Sequence, residues 1–73
     1  MEANKDEIRF GMVAVEKGFV TPEQVFEALE IQVKENLSTG IHRYIGVILQ
    51  SKGFITPSQL DETLQALEKL KLK

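Results

Sequence analysis

The side chains that could take part in chemistry are few in this 73-residue chain. It contains no Cys, which excludes disulfides and thiolate ligands for a metal. His42 is its only His, and no second His or Asp stands at catalytic spacing from it. A lone His of this kind is expected to be solvated, as is its neighbour Arg43. We therefore expect a protein that is not an enzyme and that needs no metal or cofactor.

Two glycines and one glutamine stand where the helical pattern favours other residues. Gly11 and Gly46 lie inside predicted helices, where a glycine costs about 1 kcal/mol relative to alanine. Such a glycine indicates either close packing of two helices or the approach of its backbone to a ligand. Gln32 lies seven residues after Val25, at the rim of an apolar helix face, where we expect it to bond to a neighbouring backbone group.

The elements that position these residues are defined by a phrase that occurs twice. It reads KGFVTPEQ at residues 17–24 and KGFITPSQ at residues 52–59. Gly18 and Gly53 suit the left-handed position just past a helix. The Thr-Pro-x-Gln that follows supplies an N-cap, a proline for the first helical position and the glutamine of a capping box. Each phrase therefore ends one helix and begins the next.

The two phrases divide the chain into two helical hairpins within one predicted domain, residues 1–73. The first repeat covers about residues 5–36 and the second about residues 41–71, with the second helix ending at residue 35 or 36 and the third beginning at residue 41 or 42. A hairpin of this length cannot bury its apolar face alone, whereas two hairpins packed together can. We predict an all-α fold, a compact four-helix domain with internal pseudo-symmetry.

The apolar spacing predicts which side of each helix is buried. The predicted inner residues are Ile8, Met12 and Val15, with Phe10, Val13 and Ala14, in the first helix; Val25, Ala28, Leu29 and Val33 in the second; Ile41, Tyr44, Ile45, Ile48 and Leu49 in the third; and Leu60, Leu64 and Leu67 in the fourth.

The second helix carries more apolar surface than the fourth. Phe26 lies off its inner face, beside Val33, whereas the second repeat has Asp61 and Glu68 at these two positions. The second helix is therefore either the more central helix or a surface that binds a partner. We predict an interface at Phe26 and Val33, and a homodimer formed through this helix.

The charge balance argues against two classes of partner. A net charge of -2 gives no attraction to nucleic acid or to an anionic membrane. No apolar run approaches the ~20 residues of a membrane span, and the first residues lack the apolar core of a signal peptide. The expected location is the cytoplasm.

The repeated motif resembles the N-terminal domain of type II secretion and type IV pilus assembly ATPases. That family carries in tandem an Arg-Leu-Gly, six spacers, a Gly and then spaced Leu, Leu and Gln. The first copy here presents Arg9, Phe10, Gly11 and Gly18, followed by Val25, Leu29 and Gln32. The second copy has Tyr44 at the Arg position and Leu67 at the Gln position. The Gly-rich phosphate loop of the ATPase portion is absent from the chain.

The resemblance implies a four-helix domain and two functions. One is a non-catalytic interaction or regulatory module whose partner is a protein of a secretion or pilus system. The other is a cyclic di-GMP receptor, because some members of the family bind this nucleotide through both motif copies. The implied ligand-binding residues are then Arg9, Phe10, Gly11, Gly18, Gln32 and Tyr44.

A third reading is a helix-turn-helix DNA binder, since its helical hairpins can look similar. It expects a basic helix that enters a groove of the duplex. The second helix instead carries Glu23, Glu27, Glu30 and Glu35 against Lys34, so nucleic acid is the disfavoured partner.

Overall fold

The computed structural model describes residues 5–71, and their side chains from residue 7 to residue 70; residues 1–4 and 72–73 of the predicted domain lie outside this range. The described chain forms four α-helices: α1 (Lys5–Glu16), α2 (Pro22–Thr39), α3 (Ile45–Ser51) and α4 (Pro57–Lys71). The predicted all-α four-helix fold is confirmed. None of these helices is long and apolar enough to cross a membrane.

The glycine of each repeated phrase ends its helix as predicted. Gly18 and Gly53 have φ of 79° and 78°, the left-handed region. At the end of α1, the N–H of Phe19 donates to the carbonyl of Ala14 at 3.0 Å, and that of Gly18 to the carbonyl of Val15 at 2.9 Å. The equivalent residues at the end of α3 form the same two bonds. These bonds are those of the Schellman motif, which satisfies carbonyls that the helix leaves free.

The capping boxes at the starts of α2 and α4 are also present. The N–H of Gln24 donates to Oγ1 of Thr21 at 3.2 Å, and the N–H of Thr21 donates to Oε1 of Gln24 at 3.0 Å. Thr56 and Gln59 form the same reciprocal pair at 3.0 and 3.1 Å. Both hairpin turns are thus built from bonds between residues at most five positions apart.

The second helix of each hairpin packs mainly on the first helix of the other hairpin. α2 packs mainly on α3, and α4 packs mainly on α1, while α1 and α3 contact each other at the centre. Glycines allow the closest approaches: a Cβ at Gly46 would lie 2.9 Å from Cζ of Phe10, and one at Gly11 would lie 2.8 Å from Cγ1 of Val25. Both helix-internal glycines therefore serve close helix packing. The buried core consists of Phe10, Ala14, Val20, Val25, Ala28, Ile45, Ile48, Leu49, Ile55 and Leu67.

Because the helices pack in this way, several of the predicted buried faces are wrong. Because α1 faces α3 and α4 more than α2, its buried apolar side chains are Phe10, Val13 and Ala14. The side chains predicted to face inward but at least 38% exposed are Ile8, Met12, Val33, Ile41 and Leu64.

The connection between the repeats also differs from the prediction. α2 continues to Thr39, because the left-handed residue that stops it is Gly40 (φ 76°), whose N–H donates to the carbonyl of Asn36 at 2.9 Å. α3 begins only at Ile45, because Tyr44 is extended (φ -61°, ψ 142°). Residues of the segment between them form hydrogen bonds with α1 and α2.

Candidate functional site

A buried carboxylate organises the junction between the repeats. Glu7 on α1 is 2% exposed. Its Oε1 accepts hydrogen bonds from Nε2 of Gln32 at 2.7 Å and from the N–H of Ile45 at 3.0 Å. Its Oε2 pairs with Nε2 of His42 at 2.8 Å. Glu7 thereby satisfies a backbone donor in the first turn of α3, where the N-cap residue Tyr44 makes no side-chain cap bond.

Gln32 completes this polar cluster from α2. The same Nε2 also donates to the backbone carbonyl of Arg43 at 2.8 Å. The expected bond to a neighbouring backbone group is therefore present, but the expected position at the rim is wrong, because Gln32 is 2% exposed. The lone glutamine on an apolar face is thus the partner of a buried carboxylate, as buried polar groups require.

An ion pair joins the segment between α2 and α3 to α2. Nε and Nη2 of Arg43 donate to the two oxygens of Glu35 at 2.9 and 2.7 Å. These hydrogen bonds, with the charge of the guanidinium, lower the pKa of the Glu35 carboxyl. The same hydrogen bonds, with the charge of the carboxylate, raise the pKa of Arg43. Arg43 and His42 were expected to be solvated; both remain partly exposed, but each is bonded to a glutamate.

The structure brings together only some of the implied nucleotide-binding residues: Phe10 contacts Tyr44, whereas Arg9 lies elsewhere. Arg9 follows Glu7 by two positions, which turns it about 200° around the helix axis. It is exposed and lines a depression with Met12 and Leu70, away from the cluster that contains Gln32.

The apolar and glycine members of that set have structural roles. Phe10 is fully buried, with its ring edge-on to that of Tyr44 at a centroid distance of 5.5 Å. Gly11 lies against Val25, and Gly18 ends α1. As the side chains stand, the buried ring of Phe10 is not available to pack on a base.

An open apolar groove lies between α1 and α2. It has a volume of about 350 Å³. The residues that line it are Ile8, Gly11, Met12, Val15, Glu16, Pro22, Val25, Phe26 and Leu29. Met12 and Phe26 are 62% and 67% exposed on its rim. The groove exists because α2 packs on α3, so that the two helices of the first hairpin are left partly apart.

The second repeat differs from the first at three of the exposed apolar positions of α1 and α2. Ile8, Phe26 and Val33 correspond at the 35-residue offset to Arg43, Asp61 and Glu68. The two repeats have the same hairpin architecture, yet the second carries charged side chains at these positions. The apolar side chains at these three positions are therefore specific to the first repeat, whereas Met12 corresponds to another exposed apolar residue, Val47.

The lining of the groove is almost entirely apolar. Glu16 is the one charged residue among those that line it. Within the described residues, no group of acidic or His side chains could hold a metal ion. Large exposed apolar surface bordered by polar residues is typical of protein-binding sites.

Of the two predicted interface residues, Phe26 lines this groove and Val33 does not. Phe26 and Val33, the predicted interface residues, are exposed on α2. Ile8 and Met12 were missed because their spacing on α1 suggested an inner face. The second repeat has a charged residue, Arg43, at the position equivalent to Ile8, and this indicates that the position of Ile8 is exposed to solvent.

The described residues form an all-α domain of two hairpins with an apolar groove between α1 and α2. Comparison of the chain with protein families, curated proteins and solved structures finds no match.

Proposed function

We propose that this chain is a non-catalytic protein-interaction module. In this proposal an apolar helix of a protein partner lies in the groove between α1 and α2. The observation that carries it is the exposed rim formed by Met12 and Phe26, which folding leaves uncovered. A helix laid in an apolar groove is a common way for proteins to recognise one another.

The resemblance to the N-terminal domain of secretion and pilus ATPases extends the proposal to the class of partner. A partner from such an assembly machinery, met in the cytoplasm, agrees with that resemblance and with the acidic net charge. Cyclic di-GMP is the weaker candidate, because Gln32 is already bonded within the protein and Arg9 faces elsewhere.

The proposal is tested by one matched pair of variants. Met12→Lys places a charge on the groove rim, and Val47→Lys places the same charge at the equivalent position of the second repeat, where the valine is also exposed. Tagged wild type and both variants are used to retain proteins from a cytoplasmic extract, and retained proteins are identified by mass spectrometry.

We expect a partner that the wild type and Val47→Lys retain and that Met12→Lys loses. Equal retention by all three proteins would contradict a function at this groove. Circular dichroism of the two variants confirms that any loss is not caused by unfolding.

A further inference from the structure

We propose that the partner of the apolar surface is a second copy of this chain, paired antiparallel through α2. This inference rests on the proposed function and names its partner. It is carried by an apolar stripe on α2 together with the charges beside it.

The apolar stripe consists of Phe26, Leu29, Val33 and Leu37. Their spacing of three, four and four residues places them along one side of the helix. Phe26 and Leu37 are 67% and 73% exposed, Val33 is 38% exposed, and Leu29 is half-buried. Such spacing is that of the seam between two paired helices.

The stripe is complementary to itself only when two copies run in opposite directions. A two-fold axis near the middle of the stripe sets Phe26 against Leu37 of the second copy and Leu29 against Val33 of the second copy. This is the reciprocal contact that a symmetric dimer requires, with each pair of residues occurring twice. The largest exposed side chains then cover one another at both ends.

The charges beside the stripe favour the same direction. Glu27, Glu30 and Lys34 lie on one flank of it, about 55–115° further around the helix than its centre. In the antiparallel pair, Lys34 faces Glu27 and Glu30 of the second copy, and the contact occurs twice. In a parallel two-fold pair this charged flank would instead face the opposite, apolar flank of the second copy, so these charges would have no partners across the contact.

The size of the contact explains why α1 takes part. The stripe spans about 16 Å at 1.5 Å per residue. One helix face of this length covers less than the ~800 Å² per partner of a standard interface. The exposed Ile8 and Met12 on the adjoining rim of α1 extend the apolar surface on the side away from the charges.

Light scattering at tens of micromolar tests the dimer. We expect the wild type to have twice the 8.2 kDa mass of one chain. Phe26→Asp and Val33→Glu introduce the type of residue found at the equivalent positions of the second repeat, so both variants are compatible with the fold, and both should be monomers. Val47→Asp, at an exposed apolar position of α3, should remain a dimer.

The direction of pairing is tested by a short thiol cross-linker, which the absence of native Cys makes specific. Glu30→Cys lies near the two-fold axis and should link to its own copy. Leu37→Cys lies at the end of the stripe, far from its own copy, and should not. Linking at both positions would indicate a parallel pair and overturn the inference.

A wild type that is monomeric throughout this range would also overturn the dimer. So would a Phe26→Asp variant that keeps the dimeric mass. Neither result bears on the proposed interaction function, which is decided by partner retention in the Met12→Lys and Val47→Lys pair. The two proposals can therefore fail separately.

Discussion

Glu7 and His42 occupy equivalent positions in the two repeats, 35 residues apart, and their side chains meet at 2.8 Å. Oε2 of Glu7 and Nε2 of His42 are the two atoms of this direct bond between the repeats. The two repeats carry different side chains at this equivalent position, and the bond between these side chains joins the repeats. The same carboxylate also receives Gln32 and the first N–H of α3, so one buried group determines where α3 begins.

The first prediction concerns Gln32. Gln32→Leu introduces the residue that the second repeat has at the equivalent position, where Leu67 is buried. In the first repeat it removes a donor from Glu7 and from the carbonyl of Arg43. Leaving buried acceptors unsatisfied should lower the free energy of unfolding by about 1–3 kcal/mol.

Urea denaturation measures this effect. The control is Gln65→Leu, because Gln65 is exposed and bonds only to the exposed Asp61 among the contacts described. It should change stability by less than about 0.5 kcal/mol. Equal denaturation midpoints for the two variants would show that the buried cluster contributes nothing.

The second prediction concerns the crossing of α1 and α2. Gly11→Ala should gain about 1 kcal/mol in helix propensity. Its Cβ would lie 2.8 Å from Cγ1 of Val25, however, and overpacking of this kind costs about 1–3 kcal/mol. We expect a net loss of stability in urea denaturation. Val25→Ala removes the obstructing methyl groups, so Gly11→Ala should be harmless or stabilising in that background; the same loss in both backgrounds would refute the packing role.

The third prediction concerns the left-handed residue after α1. No heavy atom lies within 4 Å of a Cβ built at Gly18, so the cost of a side chain there is conformational. Gly18→Val should destabilise by about 1–2 kcal/mol, because the left-handed conformation strains an L-residue. Gly18→Asn should lose less, since asparagine tolerates this conformation. Thermal denaturation in which the two variants melt together would contradict this explanation.

The fourth prediction concerns acid stability. The pKa of Glu35 is lowered in the folded state, chiefly by its hydrogen bonds from Arg43, so the folded protein releases this proton more readily than the unfolded chain. The resulting stability is present above the ordinary value of 4.5 and is lost as the pH falls through the lowered pKa.

Glu35→Gln should therefore be less stable than the wild type at neutral pH, and the difference should shrink below pH 4.5. Urea denaturation at a series of pH values measures it. In an Arg43→Gln background the substitution should no longer alter the pH dependence. A difference that is constant with pH would show that the ion pair is not its source.

The fifth prediction concerns cyclic di-GMP. Arg9 is exposed and lines a depression with Met12 and Leu70. Gln32 is buried and bonded to Glu7, and Phe10 is buried. We expect no heat above dilution when the nucleotide is titrated into the protein. Binding that disappears in Arg9→Ala would contradict this, with a stoichiometry of one nucleotide per chain pointing to a single-chain site and one per two chains to a dimer-spanning site.

The sequence by itself determined where the hairpins turn. The left-handed Gly18 and Gly53 and the capping boxes of Thr21 and Thr56 are present as predicted. These features depend on hydrogen bonds within five residues and on the allowed φ of glycine, which neighbouring residues are sufficient to specify. Two hairpins with apolar faces then require an all-α domain.

Only the tertiary structure decided which faces of these helices meet. Because α2 packs on α3 and α4 on α1, Met12 became part of an open rim and Gln32 became buried. The spacing of apolar residues indicates that a helix is amphipathic. Where apolar residues occur on several sides of a helix, the spacing does not specify which neighbouring helix covers each side. The late start of α3 likewise depends on Glu7, 38 positions away from Ile45, a contact that local sequence cannot indicate.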